Sequence, residues 1–127
     1  MLLDTCTVLW LAADKSKLSG EARRALREAR GPLYVSAISA FEIAARYRMR
    51  ALQLPMPPDD WYREALEFFA LQEIPISGPI AARAALLPPH HDDLCDRTIV
   101  ATALERGLPI VTPDASIAAY EGVSIIW

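Results

Sequence analysis

Four acidic residues stand where apolar runs end. Asp4 follows Leu2–Leu3, Glu42 lies within SAISAFEIAARYRMR, Asp96 opens the segment Arg97–Arg106, and Asp114 follows LPIVT. Each has a local explanation. Asp4 and Asp114 are favoured helix N-caps. Ser39-x-x-Glu42 has the spacing of a capping box. Asp96 in a first helical turn would favour the helix dipole. If the fold brings the four together, the chemistry changes. Two carboxylates ~4 Å apart repel by roughly 4 kcal/mol at an effective dielectric near 20, so such a cluster must take up protons or cations. An all-oxygen ligand set suits Mg²⁺ or Mn²⁺, one or two ions. Divalent ions held by carboxylates suit in-line attack of water on a phosphodiester, which makes a nuclease the leading chemical class.

Other residues near these acids carry two readings each. His91, with His90, could shuttle a proton or support the site, or could be a polar loop residue. Arg97 could grip a phosphate through its planar fork, or pair with Asp93 four residues earlier. Glu42, Arg46 and Arg50 are spaced by four and so share one predicted helix face, on which the two arginines could follow RNA phosphates. Arg23, Arg24, Arg27 and Arg30 make a second basic helix, and both sets could be solvated faces. Cys6 and Cys95 lie within two residues of Asp4 and Asp96 and read as small buried hydrophobes. Trp10, Trp61, Phe68, Phe69 and Trp127 read as core or interface residues, not as base-stacking platforms. The apolar stripe of WYREALEFFALQ could also contribute to a dimer or partner surface.

The elements that must position the acids alternate in type. Strand-like runs are Leu2–Leu3, Leu33–Val35, Glu73–Ile76, Leu108–Thr112 and Val123–Ile126. Helical stretches are Thr5–Ala13, Ser19–Arg30 with Ser19 as cap, Ser36 to about Arg50, WYREALEFFALQ capped by Asp59 or Asp60, Pro79–Leu87, Arg97–Arg106 closed by Gly107, and a short Asp114–Tyr120. That alternation predicts an α/β fold with a central, mainly parallel sheet of 4–5 strands covered by helices on both faces. In such sheets, sites form beyond the carboxyl ends of the strands, where the acids fall.

The 127 residues fit one domain, 1–127, and the 53% apolar content argues against disorder. A net charge of −3 excludes a uniformly basic nucleic-acid coat but permits local basic patches. Two cysteines cannot build a disulfide framework or a four-cysteine zinc site. Asp4 interrupts the apolar opening and no basic region precedes it, so a cytoplasmic protein with no membrane segment is expected.

The runs LLDTCTVLW, VSAISAFEIA, LPPHHDDLCDRTIVATAL, LPIVTPDASIAAY and the closing IIW, taken in order, resemble PIN-domain toxins of the VapC type. The resemblance implies a PIN-like three-layer sandwich and a Mg²⁺- or Mn²⁺-dependent endoribonuclease, the toxin half of a bacterial type II toxin–antitoxin pair. It implies that Asp4, Glu42, Asp96 and Asp114 form the active site and hold the metal, with Asp4 and Asp96 the surest ligands. Thr112 would bond within the site or orient Asp114, or else help cap the next helix. It further implies an RNA substrate, products with 5′-phosphate and 3′-hydroxyl ends, a homodimer, and a VapB-like, DNA-binding antitoxin. The family often shows H-x-D-P-F-D-R; here His91-Asp92-Asp93-Leu94-Cys95-Asp96-Arg97 keeps both acids and the arginine but replaces Pro and Phe.

Other classes fit less well. A phospho-acceptor switch needs a lysine beyond a late strand, and the only lysines are Lys15 and Lys17. No G-x-x-x-x-G-K-[ST] run exists for a P-loop, and Asp4-Thr5-Cys6 lacks the second acid of an Asp-x-Asp phosphatase. A PIN-like binding protein without activity, or a nuclease acting on another nucleic acid, remains as the alternative.

Overall fold

The computed structural model describes all 127 residues. In chain order its elements are β1 (Leu2–Leu3), α1 (Thr5–Ala13), α2 (Gly20–Glu28), β2 (Leu33–Ser36), α3 (Ile38–Arg48), α4 (Pro58–Phe68), β3 (Leu71–Ile74), α5 (Gly78–Leu86), α6 (Leu94–Arg106), β4 (Ile110–Val111) and β5 (Ile125–Ile126), with 3₁₀ turns at Lys15–Lys17 and Ile117–Ala119. The five strands form one sheet in the order β3-β2-β1-β4-β5. Every neighbouring pair is parallel, with Leu3 opposite both Val35 and Val111. The predicted parallel α/β architecture is therefore the one observed.

Two-residue strands cannot be held by their ladders alone. Their side chains supply the rest. Successive strand residues point to opposite faces, so Leu2 and Ile110 enter one core with Ile80, Ile99 and Val100 of α5 and α6. Leu3 and Val111 enter the other with Val8, Ala22, Ile43 and Tyr62 of α1, α2, α3 and α4. Leu2, Leu3, Ile110 and Val111 are all fully buried. Each such side chain contributes about 1.5–3 kcal/mol, more than the ~1 kcal/mol net of a ladder hydrogen bond.

Several boundaries differ from the sequence expectation. Helix α6 begins at Leu94, three residues before Arg97, because Asp93 caps it by accepting from the Cys95 and Asp96 amides at 2.8 and 3.2 Å. Neither Asp59 nor Asp60 caps α4; both lie inside its first turn, after Pro57 and Pro58 set the entry. Strand β3 ends at Ile74, not Ile76, because Pro75 cannot donate to the ladder. The Asp114–Tyr120 segment forms only the Ile117–Ala119 turn. Gly107, at φ +62°, closes α6 in the left-handed conformation that glycine adopts without steric cost.

Candidate active site

Parallel topology puts the ends of β1, β2 and β4 side by side, and the chain leaves each with a polar residue. Asp4 follows β1 and Thr112 follows β4, joined by the Asp4 amide donating to the Val111 carbonyl at 3.2 Å. The Thr112 hydroxyl donates to Asp4 Oδ2 at 2.5 Å and accepts from the Asp114 amide at 3.0 Å. One hydroxyl thus ties the Asp4 carboxylate to the backbone that carries Asp114. Asp4 Oδ1 accepts from the Thr7 amide at 2.6 Å, so Asp4 also caps α1. The local explanation and the clustered one hold together for this residue. Asp114 Oδ1 accepts from the Ser116 amide and hydroxyl, which orders the turn after β4.

Glu42 reaches the same edge from α3. The capping box is not formed: Ser39 lies inside α3, whose N-cap is Ala37 without a side-chain bond. The Ser39 hydroxyl instead accepts from the Thr5 hydroxyl at 3.0 Å, a buried link that fixes α3 against α1. Glu42 Oε1 lies 2.7 Å from Arg46, one turn on, while Oε2 is buried without a partner.

Asp96 sits in the first turn of α6. Burial pushes its carboxyl up to about 7, and the charges of Asp93, Asp114, Glu42 and Asp4 add to that push. Asp4 is also raised, by burial and by Glu42, against the lowering effect of its bonds to Thr112 and Thr7. Acids from four separate chain regions therefore act on one another. Arg46 is the one basic side chain ion-paired within the group. Partial burial works against its charge, but Glu42 and Asp96 hold it firmly cationic. Cys6 and Cys95 border the cluster as free, half-buried thiols. Burial and the surrounding acids raise both, Cys95 to about 11, so neither is a nucleophile at neutral pH.

The remaining sequence candidates divide. Asp93 caps α6 and adds charge to the cluster. His91 accepts from the Asp93 amide through Nδ1 at 3.3 Å and stands edge-on to Tyr120, with Nε2 buried and unpartnered. Arg97 is neither at a phosphate-binding surface nor paired with Asp93. It is buried, and its guanidinium donates to the carbonyls of Ala84, Ala85, Leu87, Pro88 and His91 at 2.7–3.3 Å. Those are the open carbonyls at the end of α5 and in the loop beyond it, so Arg97 anchors the segment that leads to Asp93 and Asp96. Arg50 does not extend the Glu42–Arg46 face, because α3 stops at Arg48 and Arg50 turns left-handed at φ +58°. Thr5 and Thr7 belong to the site's support as well, since their hydroxyls donate to Ser39 and to the Val111 carbonyl. The run Asp-Thr-x-Thr directly after a strand was the available sign of a polar cap with hydroxyls to spare.

No three His, Cys, Asp or Glu side chains form a closed metal-ligand set. Several of the cluster's oxygens are engaged by amides and hydroxyls. The donor chemistry nonetheless fits a hard divalent cation: carboxylates only, one oxygen of Glu42 buried and unpartnered, and the Asp96 carboxyl pushed up to about 7 by burial and its acidic neighbours.

The family model for the PIN domain matches residues 1–123. The chain belongs to the PIN-domain family. It is 34% identical over 121 residues to Ribonuclease VapC22 of Mycobacterium tuberculosis, covering 94% of this chain and 91% of that one, which places it with the VapC-type PIN-domain ribonucleases. Among solved structures it resembles a toxin–antitoxin complex from Klebsiella pneumoniae, at 27% identity and TM-score 0.65 over 96% of this chain and 93% of that one. It shares its fold with DNA-bound VapBC from Salmonella typhimurium, at 18% identity and TM-score 0.70 over 98% and 94%.

Proposed function

We propose that the protein is the toxin ribonuclease of a toxin–antitoxin pair, and that it hydrolyses RNA at the acidic edge with Mg²⁺ or Mn²⁺. The observation that carries this reading is the gathering of Asp4, Glu42, Asp96 and Asp114 at one sheet edge, with Thr112 tying Asp4 to the Asp114 backbone, Glu42 Oε2 buried without a partner, and burial and the neighbouring acids pushing the Asp96 carboxyl up. An arrangement so costly for folding alone is expected where a cation completes it.

Asp4, Asp96, Asp114 and Glu42 would hold one or two ions. A bound ion supplies Lewis acidity and makes water a nucleophile at neutral pH. The chain's own residues do the rest. Thr112 keeps Asp4 and the backbone of Asp114 in fixed relation. Arg97 holds the loop ahead of α6 in one shape. A carboxylate oxygen of the cluster accepts the proton of the attacking water, which displaces the ribose 3′-oxygen in line, and the departing oxygen takes a proton from solvent. The products are then a 5′-phosphate and a 3′-hydroxyl. Arg46, with 40% of its side chain exposed, would meet backbone phosphate beside the cluster.

An antitoxin partner has a surface to bind. Leu11, Leu18, Leu26, Leu33 and Phe69 floor a groove of about 380 Å³ rimmed by Lys15, Arg23 and Arg27, which suits an acidic amphipathic segment of that partner. Phe41, 65% exposed on α3, gives apolar area for a second copy of the chain in a homodimer. No helix is long and apolar enough to cross a membrane, and the reading places the protein in the cytoplasm with its RNA.

Incubation of purified protein with structured RNA and Mn²⁺, with and without EDTA and beside Asp96→Asn, tests the reading. Cleavage should vanish with EDTA and in the variant and should leave 5′-phosphates. Persistence in either case, or 2′,3′-cyclic ends, overturns it. No cleavage of any RNA or DNA, with no Mn²⁺ uptake, returns the protein to a PIN-like binding role.

A further inference from the structure

Arg46 is the one cation inside a group of five acids, and it is tethered one helical turn from Glu42. Its Nη2 lies 2.7 Å from Glu42 Oε1, and its Nη1 lies 3.9 Å from Cys6 Sγ. The Glu42 side chain is only 13% exposed, whereas Arg46 is 40% exposed. The carboxylate is therefore fixed, and the guanidinium has solvent into which to swing. The other three ion pairs, Arg27–Glu28, Arg63–Asp60 and Arg83–Glu105, touch none of the cluster.

Resting on the metal-dependent reading above, we propose that Arg46 is a positioning residue that competes with the divalent cation for Glu42. In the metal-free protein, Arg46 occupies one Glu42 oxygen and lends the cluster a single positive charge. A divalent cation drawn to the unpartnered Oε2 of the same carboxylate is repelled by the guanidinium on Oε1, so its arrival turns Arg46 outward. The released side chain then faces solvent beside the cluster, where a phosphate is the matching partner. Arg46 thereby weakens intrinsic metal affinity and couples metal uptake to RNA binding. Free metal-loaded toxin is disfavoured relative to the ternary complex.

The test is calorimetric titration of Mn²⁺ into metal-stripped wild type, Arg46→Gln, Arg46→Ala and Arg46→Lys. The two neutral variants should bind Mn²⁺ about tenfold more tightly, equivalent to about 1.4 kcal/mol, while Arg46→Lys stays within about twofold of wild type. The same variants should show a larger Mn²⁺-induced rise in melting temperature and a weaker affinity for RNA in the presence of Mn²⁺. Neutral variants that fold, by circular dichroism, and bind Mn²⁺ no more tightly than wild type overturn this proposal and leave the metal-dependent reading standing. If wild type and variants alike take up no Mn²⁺, both fall.

Discussion

Replacing Asp96 by Asn should make the metal-free protein more stable at alkaline pH while removing its activity. An ordinary Asp ionises near 3.8, and the folded protein holds Asp96 at about 7. Between those values the native state keeps a proton that the unfolded chain has lost. The stability linked to Asp96 is therefore fully present below about pH 4 and is lost as pH rises through about 7. At about 1.4 kcal/mol per tenfold change in proton affinity, the gap corresponds to about 4 kcal/mol. The carboxyl is partly open to water, and solvent screening leaves about 2 kcal/mol. Asp96→Asn keeps the size of the side chain and has no charge to repel. Urea unfolding in EDTA at pH 5 and pH 8 gives the comparison. Wild type should lose about 1 kcal/mol more than Asp96→Asn over this interval, because part of the linkage is already spent below pH 5, and the variant should be the more stable of the two at pH 8. Asp4, also raised, leaves a residual slope of the same sign in the variant. Parallel pH profiles for the two proteins, or a variant less stable than wild type at pH 8, would refute the idea that the acids strain one another in the absence of metal.

Three further outcomes follow from the same contacts. Thr112→Val should cost about 1–2 kcal/mol in thermal unfolding, because Asp4 and the Asp114 amide each lose a buried partner. It should cut RNA cleavage at least about tenfold, and Thr112→Ser should restore most of both, since only the hydroxyl is needed. Arg97→Met should destabilise by about 2–4 kcal/mol in urea, because five carbonyls lose their donor at once; a loss below about 1 kcal/mol would show that water replaces the guanidinium. Gly107→Ala should lower stability by about 1 kcal/mol without changing cleavage, since φ +62° penalises a Cβ and the residue lies at the far end of α6.

The layering was legible in the chain's own pattern. Alternating short apolar runs and capped helical stretches leave little choice but a parallel sheet with two covered faces, and Leu2–Leu3 or Ile110–Val111 must divide between those faces because strand side chains alternate. The acids could be located the same way, since strand ends in a parallel sheet point to one edge. Short-range chemistry misled where a long-range partner intervened. Ser39 has capping-box spacing to Glu42, but the Thr5 hydroxyl, 34 residues away, claims it. Arg97 stands four residues from Asp93, but the open carbonyls ending α5 outbid a single exposed carboxylate. Thr112 joins Asp4 across 108 residues of chain. Local spacing fixes what a side chain meets on its own helix. Only packing decides which of several polar groups it meets first, because burial removes water as the competitor and gives the bond to whichever partner the fold has already brought within reach.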